Sequence, residues 1–341
     1  MTATPVAIIA FNRPDFAREL LGRVRGARPA KLYVIADGPR PERPDDIELC
    51  AAVRAEFENV DWPCEVTRLY SDVNRGCEAT VELGLDAVFE REDRAIILED
   101  DCFPDRSFFG YADELLARYE DDDHIWHIAG DAHFLPADLF GAESYAFTTY
   151  AGIWGWATWS RAWRRHRAEF PRDHAEMNGT AGAPVRTEDP VPAPGALVST
   201  AAFNHYRHVA AATDGEAYGW DSHWWLTVAH HGGLSITPSV NLVSNVGWGE
   251  GATHTRSTRK PAPTVSMPSP LTHPEKVALN ETVQCELEYV LLRANGRLSN
   301  FVRVFIPSIR VRGWVRTVVH SRLVWGTFRR VSSWLRRMRH S

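Results

Sequence analysis

An α/β fold, a mostly parallel central sheet flanked by helices, is predicted for this chain of 341 residues. Over the first 130 residues, short apolar runs alternate with longer segments whose apolar residues recur at helical spacing, the pattern of successive βαβ units. Polar residues follow four of these runs, as expected where buried strands emerge at one edge of a sheet. A composition of 44% hydrophobic and 24% charged residues is that of a globular chain, which excludes a disordered protein and a disulfide-stapled miniature.

The elements follow in order. Residues 6–11 read as a buried first strand, and Pro14 opens a helix carrying Phe16, Leu20, Leu21 and Val24 on one face. Residues 31–36 make a second strand that ends in Asp37-Gly38-Pro39. Asp45 or Asp46 caps a helix through Glu56, and residues 65–70 make a third strand. Helix 75–89, strand 95–98, helix 107–119 and strand 125–129 complete the alternation. After about residue 145 it stops and tryptophan becomes dense, with Trp154, Trp156, Trp159, Trp163, Trp220, Trp224, Trp225 and Trp248. Residues 184–194 read as a proline-rich excursion loop. Residues 257–274, with five prolines, read as a linker that ends the globular body, and 275–298 as a helical segment.

The net charge of −6 conceals a division. Glu288 is the last acidic residue, and residues 289–341 hold twelve arginines and no lysine. The other 26 basic residues therefore face all 44 acidic ones, so a body of −18 precedes a tail of +12. Within the tail, 299–341, Trp314, Val315, Val318, Trp325, Phe328, Trp334, Leu335 and Met338 recur at roughly helical spacing, interleaved with Arg312, Arg316, Arg329, Arg336 and Arg337. Such a basic amphipathic helix suits the surface of an anionic membrane. Packing on the acidic body or on another subunit is the alternative reading. Nucleic acid is not expected as a partner, since the −18 body repels phosphates and no recognised motif accompanies the arginines.

Five scattered cysteines without a C-x-x-C pair suggest reduced thiols rather than a disulfide framework or zinc knuckle. The start of the chain lacks a basic region and its apolar run is too short for a signal peptide. No apolar stretch approaches the ~18 residues that span a bilayer. Cytoplasmic residence, peripheral at the inner face of the cell membrane, is the expectation.

The strand exits hold the candidate chemistry: Asn12-Arg13, Asp37, the segment 72–76 and Glu99-Asp100-Asp101. A lone strand-end aspartate such as Asp37 can equally be a turn former. The triplet is the sharpest signal, because three carboxylates leaving one buried strand repel one another unless a cation or a donor compensates. Hard divalent ions, Mn²⁺ or Mg²⁺, take oxygen ligands and commonly share one or two carboxylates with substrate phosphates. A solvated acidic turn is the other reading of such a triplet, and the one applied to Asp121-Asp122-Asp123. No P-loop and no G-x-G-x-x-G follows any strand. A nucleotide is thus expected to be held by metal, strand-end side chains and arginine.

These residues resemble a known family. Residues 7–14 (Ala-Ile-Ile-Ala-Phe-Asn-Arg-Pro), Ile35-Ala36-Asp37-Gly38, Asn74-Arg75-Gly76-Cys77, and 96–101 followed by Pro104 and Ser107-Phe108-Phe109 are similar to nucleotide-diphospho-sugar transferases of the GT-A fold (Rossmann-like). Within that superfamily the likeness is to the N-acetylglucosaminyltransferase I type and its microbial relatives. It continues through residues 152–157 with Trp163, Trp220-Asp221 and the glycine-rich 247–254. It implies a GT-A domain over 1–256, with a nucleotide-sugar-binding half (1–130) and a tryptophan-rich acceptor half (131–256). It also implies that Asp101 binds Mn²⁺ bridging the donor diphosphate and that Asp100 contacts the donor's ribose or sugar. Asp37 would meet a uracil base, with Asn12 and Arg13 lining the nucleoside pocket, and Arg75 and His254 would be further donor contacts; His254 reads equally as a structural loop residue. Asp221 takes the place of the catalytic base. No amino-terminal membrane anchor of the animal family is matched here.

The implied function is an inverting, metal-dependent glycosyltransferase of hexosyl- or N-acetylhexosaminyltransferase type, moving a sugar from a UDP-type donor to a glycan or lipid-linked acceptor. Charge growing on the departing diphosphate suits a metal there, and a carboxylate on the opposite face can take the acceptor's proton. Asp221 also precedes a predicted helix, 222–230, where an aspartate is commonly a cap. Sugar faces stack on aromatic rings, so Trp156, Trp220 and Trp248 are expected to border the acceptor pocket, although core packing explains most tryptophans. Residues 247–251 read as a glycine-rich loop able to close over the donor. Two competitors stand: a sugar-nucleotide nucleotidyltransferase, which would carry a glycine-rich signature after strand one, and a catalytically silent, membrane-associated glycan-binding protein.

Overall fold

The computed structural model describes residues 2–132, 135–169, 220–247 and 261–291. Its strands are β1 (Val6–Ala10), β2 (Lys31–Ala36), β3 (Glu65–Tyr70), β4 (Arg94–Glu99), β5 (Cys102–Pro104), β6 (Ile125–Ala129), β7 (Tyr145–Thr148), β8 (Trp156–Trp159), β9 (Leu234–Pro238) and β10 (Val243–Asn245). The helices are α1 (Pro14–Ala27), α2 (Asp45–Glu56), α3 (Cys77–Phe89), α4 (Arg106–Arg118), α5 (Ser160–Glu169), α6 (Trp220–His230) and α7 (Glu281–Leu291). Eight strands form one sheet in the order β3-β2-β1-β4-β8-β6-β9-β7, while β5 and β10 pair as a small antiparallel ribbon. Only β8 and β7 run against the other six, so the sheet is mostly parallel and flanked by helices, as predicted.

Burial on both faces explains why the central strands are continuous apolar runs. Val6, Ile8, Ile96 and Leu98 face a core completed by Leu20 and Val24 of α1 and by Phe108, Leu115 and Leu116 of α4. Ala7, Ile9, Ala95 and Ile97 face the opposite core, filled by Val81, Leu85 and Val88 of α3 and by tryptophans of α5 and α6. α1 starts on Pro14 and stops where Arg28 turns left-handed and returns its N–H to the Val24 carbonyl. α3 starts at Cys77 rather than 75, because Gly76 has φ +83, outside helical space and open to a residue with no Cβ.

The second half holds more strand than its sequence suggests. β7 to β10 are three to five residues long, too short for periodicity to separate strand from helix. Its tryptophans build a core rather than a surface: Trp156 lies 5.6 Å from Trp220 and 5.5 Å from Trp224, ring centre to ring centre, and Trp163 lies 5.7 Å from Trp224.

Residues 261–274 differ from the expected linker. Met267 is buried in the main core, its N–H bonded to Ser107 Oγ at 2.9 Å. Val265 N–H reaches the Asn241 carbonyl at 2.7 Å, and Ser144 and Thr272 are joined by two hydrogen bonds. The segment is a strap docked on the body, and the fold continues to α7. Neighbouring side chains and loop carbonyls meet its backbone groups, a pattern that proline content alone does not reveal. Within the expected helical segment 275–298, helix begins only at Glu281; before it, Leu279 bridges to the edge strand at Phe147. The loop at 184–194 and the tail 299–341 lie outside the described residues. Among those described, no helix is long and apolar enough to cross a membrane.

Because Met267 fills core space, Met267→Ala is expected to cost about 2 kcal/mol in urea unfolding. A loss within ~0.5 kcal/mol, the scale of a surface change, would show that the strap is not part of the cooperative unit.

Candidate active site at the strand exits

Parallel pairing of β3, β2, β1 and β4 brings four carboxyl ends to one rim of the sheet. Glu99 ends β4, and Asp100 and Asp101 follow. Asp100 is 2% exposed; its Oδ1 accepts from Arg13 Nη2, and its Oδ2 accepts from the Phe11 N–H at 3.4 Å. Arg13 Nη1 lies 3.1 Å from Asp101 Oδ2. One guanidinium therefore bridges both aspartates. Burial pushes the Asp100 carboxyl up to about 6, with Arg13 drawing it down and Asp101 adding repulsion. Glu99 is pushed up to about 8 by burial, then by Asp101, Asp100 and Asp221.

Asp101 is held from the ribbon side as well. Asn245 Nδ2 of β10 donates to its Oδ1 at 3.4 Å, and Asn245 Oδ1 accepts the Gly247 N–H at 2.9 Å. A Cβ at Gly247 would stand 2.1 Å from Asp101 Oδ2, so a larger residue here would push that carboxylate aside.

Asp37, 4% exposed, spends its carboxylate on a loop. Oδ1 accepts the N–H groups of Gly38 at 2.8 Å and Arg75 at 2.9 Å, while Oδ2 accepts Gly76 N–H and Asn74 Nδ2, each at 2.9 Å. It thereby fixes segment 74–76, which leads into α3. Arg75 turns its Nε to Ser71 Oγ at 2.8 Å. Asn12 donates to Asp46 Oδ1 at 2.8 Å, and Arg40 grips the same carboxylate at 2.5 and 3.0 Å. Asp46, read from sequence as a helix cap, is instead a fully buried hub that joins Asn12 to Arg40.

Asp221 sits in the first turn of α6, its carboxyl raised by burial. Its place is shown by Cys77, which opens α3. That thiol is solvent-exposed, yet its pKa is raised by surrounding protein and then by Glu99, Asp221, Asp101 and Asp37. Four carboxylates from three separated stretches of chain, Asp37, Glu99 with Asp101, and Asp221, thus act on this one thiol. Asp37, Asp101 and Asp221 therefore all lie close enough to Cys77 to act on its charge.

The tryptophans are arranged otherwise than expected. Trp156 is 0% and Trp220 3% exposed, packed on each other in the core. Their rings brace α6 and offer no open face to a sugar, because neighbouring rings cover them. Trp248 and His254, with most of the glycine-rich loop, lie outside the described residues.

The donor set fits a hard divalent cation, Mn²⁺ or Mg²⁺: Asp100 and Asp101 offer only oxygen, and Arg13 shows that the pair accepts a positive partner. Asp46, Arg40, Asn245 and Cys77 were not legible as site residues. Arg40 and Asp46 are only six residues apart, but Asn12 meets Asp46 across 34 residues and Asn245 meets Asp101 across 144, and no single-sequence pattern links them.

No family model and no curated protein matches the chain. Among solved structures it is similar to a UDP-glucose pyrophosphorylase complexed with UDP-glucose, with 7% identity and a TM-score of 0.31, over 51% of this chain and 83% of that one. It is also similar to a protein from Bacillus anthracis assigned as a glucose-1-phosphate thymidylyltransferase in complex with a sucrose, with 10% identity and a TM-score of 0.33, over 52% and 79%. Likeness at these scores assigns no function.

Asp46→Ala strips Arg40 and Asn12 of their shared acceptor and is expected to cost about 2 kcal/mol at pH 7. The Arg40 hydrogen bond holds Asp46 well below the usual carboxylate range, burial working against it. Its contribution is therefore complete above about pH 4 and lost as the pH falls through the depressed value. Urea unfolding of both proteins across that range should show the gap closing in acid; a constant gap would deny the ion pair its role.

Proposed function

We propose that this chain is an inverting glycosyltransferase that moves a sugar from a nucleotide-diphosphate donor, a UDP-sugar by preference, to a hydroxyl of a glycan or lipid-linked acceptor. The observation that supports it is at the strand exits, where Arg13 pairs with Asp100 and Asp101 and where Asp221 is near enough to add its repulsion to Glu99. One rim can thus address the two ends of a displacement.

Asp101, with Asp100 beside it, would hold Mn²⁺ or Mg²⁺, and such an ion supplies Lewis-acid stabilisation of the leaving diphosphate. The protein's own contribution is positional. Asp37 holds the 74–76 loop, and the Asp46 hub holds Asn12 and Arg40, so the nucleoside pocket has a braced floor. Asp221 accepts the proton of the acceptor hydroxyl as its oxygen bonds to the anomeric carbon and the bond from that carbon to the diphosphate oxygen breaks. Burial raises the basicity of this carboxylate, which favours that transfer. A single displacement inverts the anomeric centre.

The arginine-rich tail supports an acceptor at an anionic membrane surface, with the enzyme peripheral at its inner face. A nucleotidyltransferase on the same sheet would need a phosphate cradle after β1, where Asn12-Arg13-Pro14 stands.

A thermal-shift screen of nucleotide sugars is expected to reveal a donor whose stabilisation grows with Mn²⁺ and loses that dependence in Asp101→Asn. Asp221→Asn should keep donor binding while turnover drops roughly 10²- to 10⁴-fold. Undiminished turnover removes Asp221 as the base, and pyrophosphate release from UTP with a sugar 1-phosphate would replace the reading by nucleotidyl transfer.

A further inference from the structure

Between α3 and α6 lies a second cluster that the sugar-transfer reading does not use. Glu78 and Glu82 stand one helical turn apart on α3, and His223 faces them from the first turn of α6. One ligand atom from each falls within 4.8 Å of the others. The cluster is interior: the side chains of His223, Glu78 and Glu82 are 3%, 17% and 0% exposed.

We propose that Glu78, Glu82 and His223 form a structural site for a transition-type divalent cation of the Zn²⁺ class, which pins the start of α3 to the start of α6. A four-coordinate ion with bonds of ~2.1 Å keeps its ligand atoms ~3.4 Å apart. His223 Nδ1 and Glu78 Oε1 already stand at 3.2 Å. Closing the remaining envelope takes at most ~1.4 Å, within reach of torsion changes in a glutamate side chain. A water would complete the coordination. Imidazole with carboxylates selects Zn²⁺ or Co²⁺ over Mg²⁺, in contrast to the oxygen-only pair at Asp100 and Asp101.

An outer layer orients the ligands, as metal sites require. Arg167 of α5 holds Glu82 Oε2 at 3.1 Å and, through Nε, both oxygens of Asp86 at 3.0 and 3.1 Å. Trp163 Nε1 donates to Asp86 at 2.8 Å. The two helix starts joined by such a cation carry Cys77 and Asp221, so the ion would set their spacing without touching substrate.

The test needs no sugar donor and so stands apart from the transfer reading. The full chain is stripped by chelator and titrated with Co²⁺, followed by its visible absorption, and Tm is measured with Zn²⁺ or Mg²⁺. One equivalent of Co²⁺ is expected to bind with nitrogen and oxygen ligation and to persist in Asp101→Asn. Its affinity should fall at least ~10-fold in Glu78→Gln and in His223→Gln. Zn²⁺ should displace it and raise Tm, with Mg²⁺ inert. Should His223→Gln fail to fold, Glu78→Gln, a near-isosteric change, decides. Absence of Co²⁺ absorption at saturation, or absorption that Glu78→Gln leaves intact, overturns the proposal and leaves an ion pair between His223 and Glu78.

Discussion

Burial of β1, β2 and β4 on both faces is the constraint from which the candidate chemistry follows. Strands covered above and below have no room for charge along their length, because a buried unpaired ion costs several kcal/mol. Polar groups can therefore appear only where the strands end. Since these strands are parallel and adjacent, their ends share one rim, and residues distant in sequence meet there. The carboxylates after β4 and the arginine after β1 are paired by that register, β1 and β4 lying side by side.

The rim is held together by charge distributed over loops rather than by one strong bond. Arg13 joins Asp100 to Asp101, Asp37 closes its own hydrogen-bond capacity around segment 74–76, and Asp46 collects Arg40 and Asn12. Each aspartate holds a neighbouring segment of the rim, and polar groups held in place need little rearrangement when charge develops. Glu99 and Asp221, by contrast, are held against their ionised forms by burial, and Glu99 further by its acidic neighbours. Burial without full compensation is a recurrent mark of groups used for proton or ion handling.

The aromatic half has a supporting role. Stacked and tilted tryptophans between β6, β8, α5 and α6 lock α6 against the sheet, and Asp221 is carried by the first turn of that helix. The strap at 261–274 then closes the opposite core through Met267 and ties the segment ahead of α7 to Ser107, Asn241 and Ser144.

Local chemistry sufficed for the five longer strands and the four helices of the first 130 residues, though not for the three-residue β5. Apolar runs bounded by Pro14, Asp37-Gly38 and Glu99 announce strand, helix and exit, because each signal lies within a few residues of the feature it marks. The Glu99 to Asp101 triplet was legible for the same reason. Partner choice was not. That Asn245 holds Asp101, that Asp46 anchors Asn12, that Trp156 lies inside rather than at a pocket wall, and that residues 261–274 dock instead of linking all depend on contacts between distant stretches of chain. Such contacts are set by how the two cores and the sheet edge close, a property of the assembled chain that no window of neighbouring residues contains.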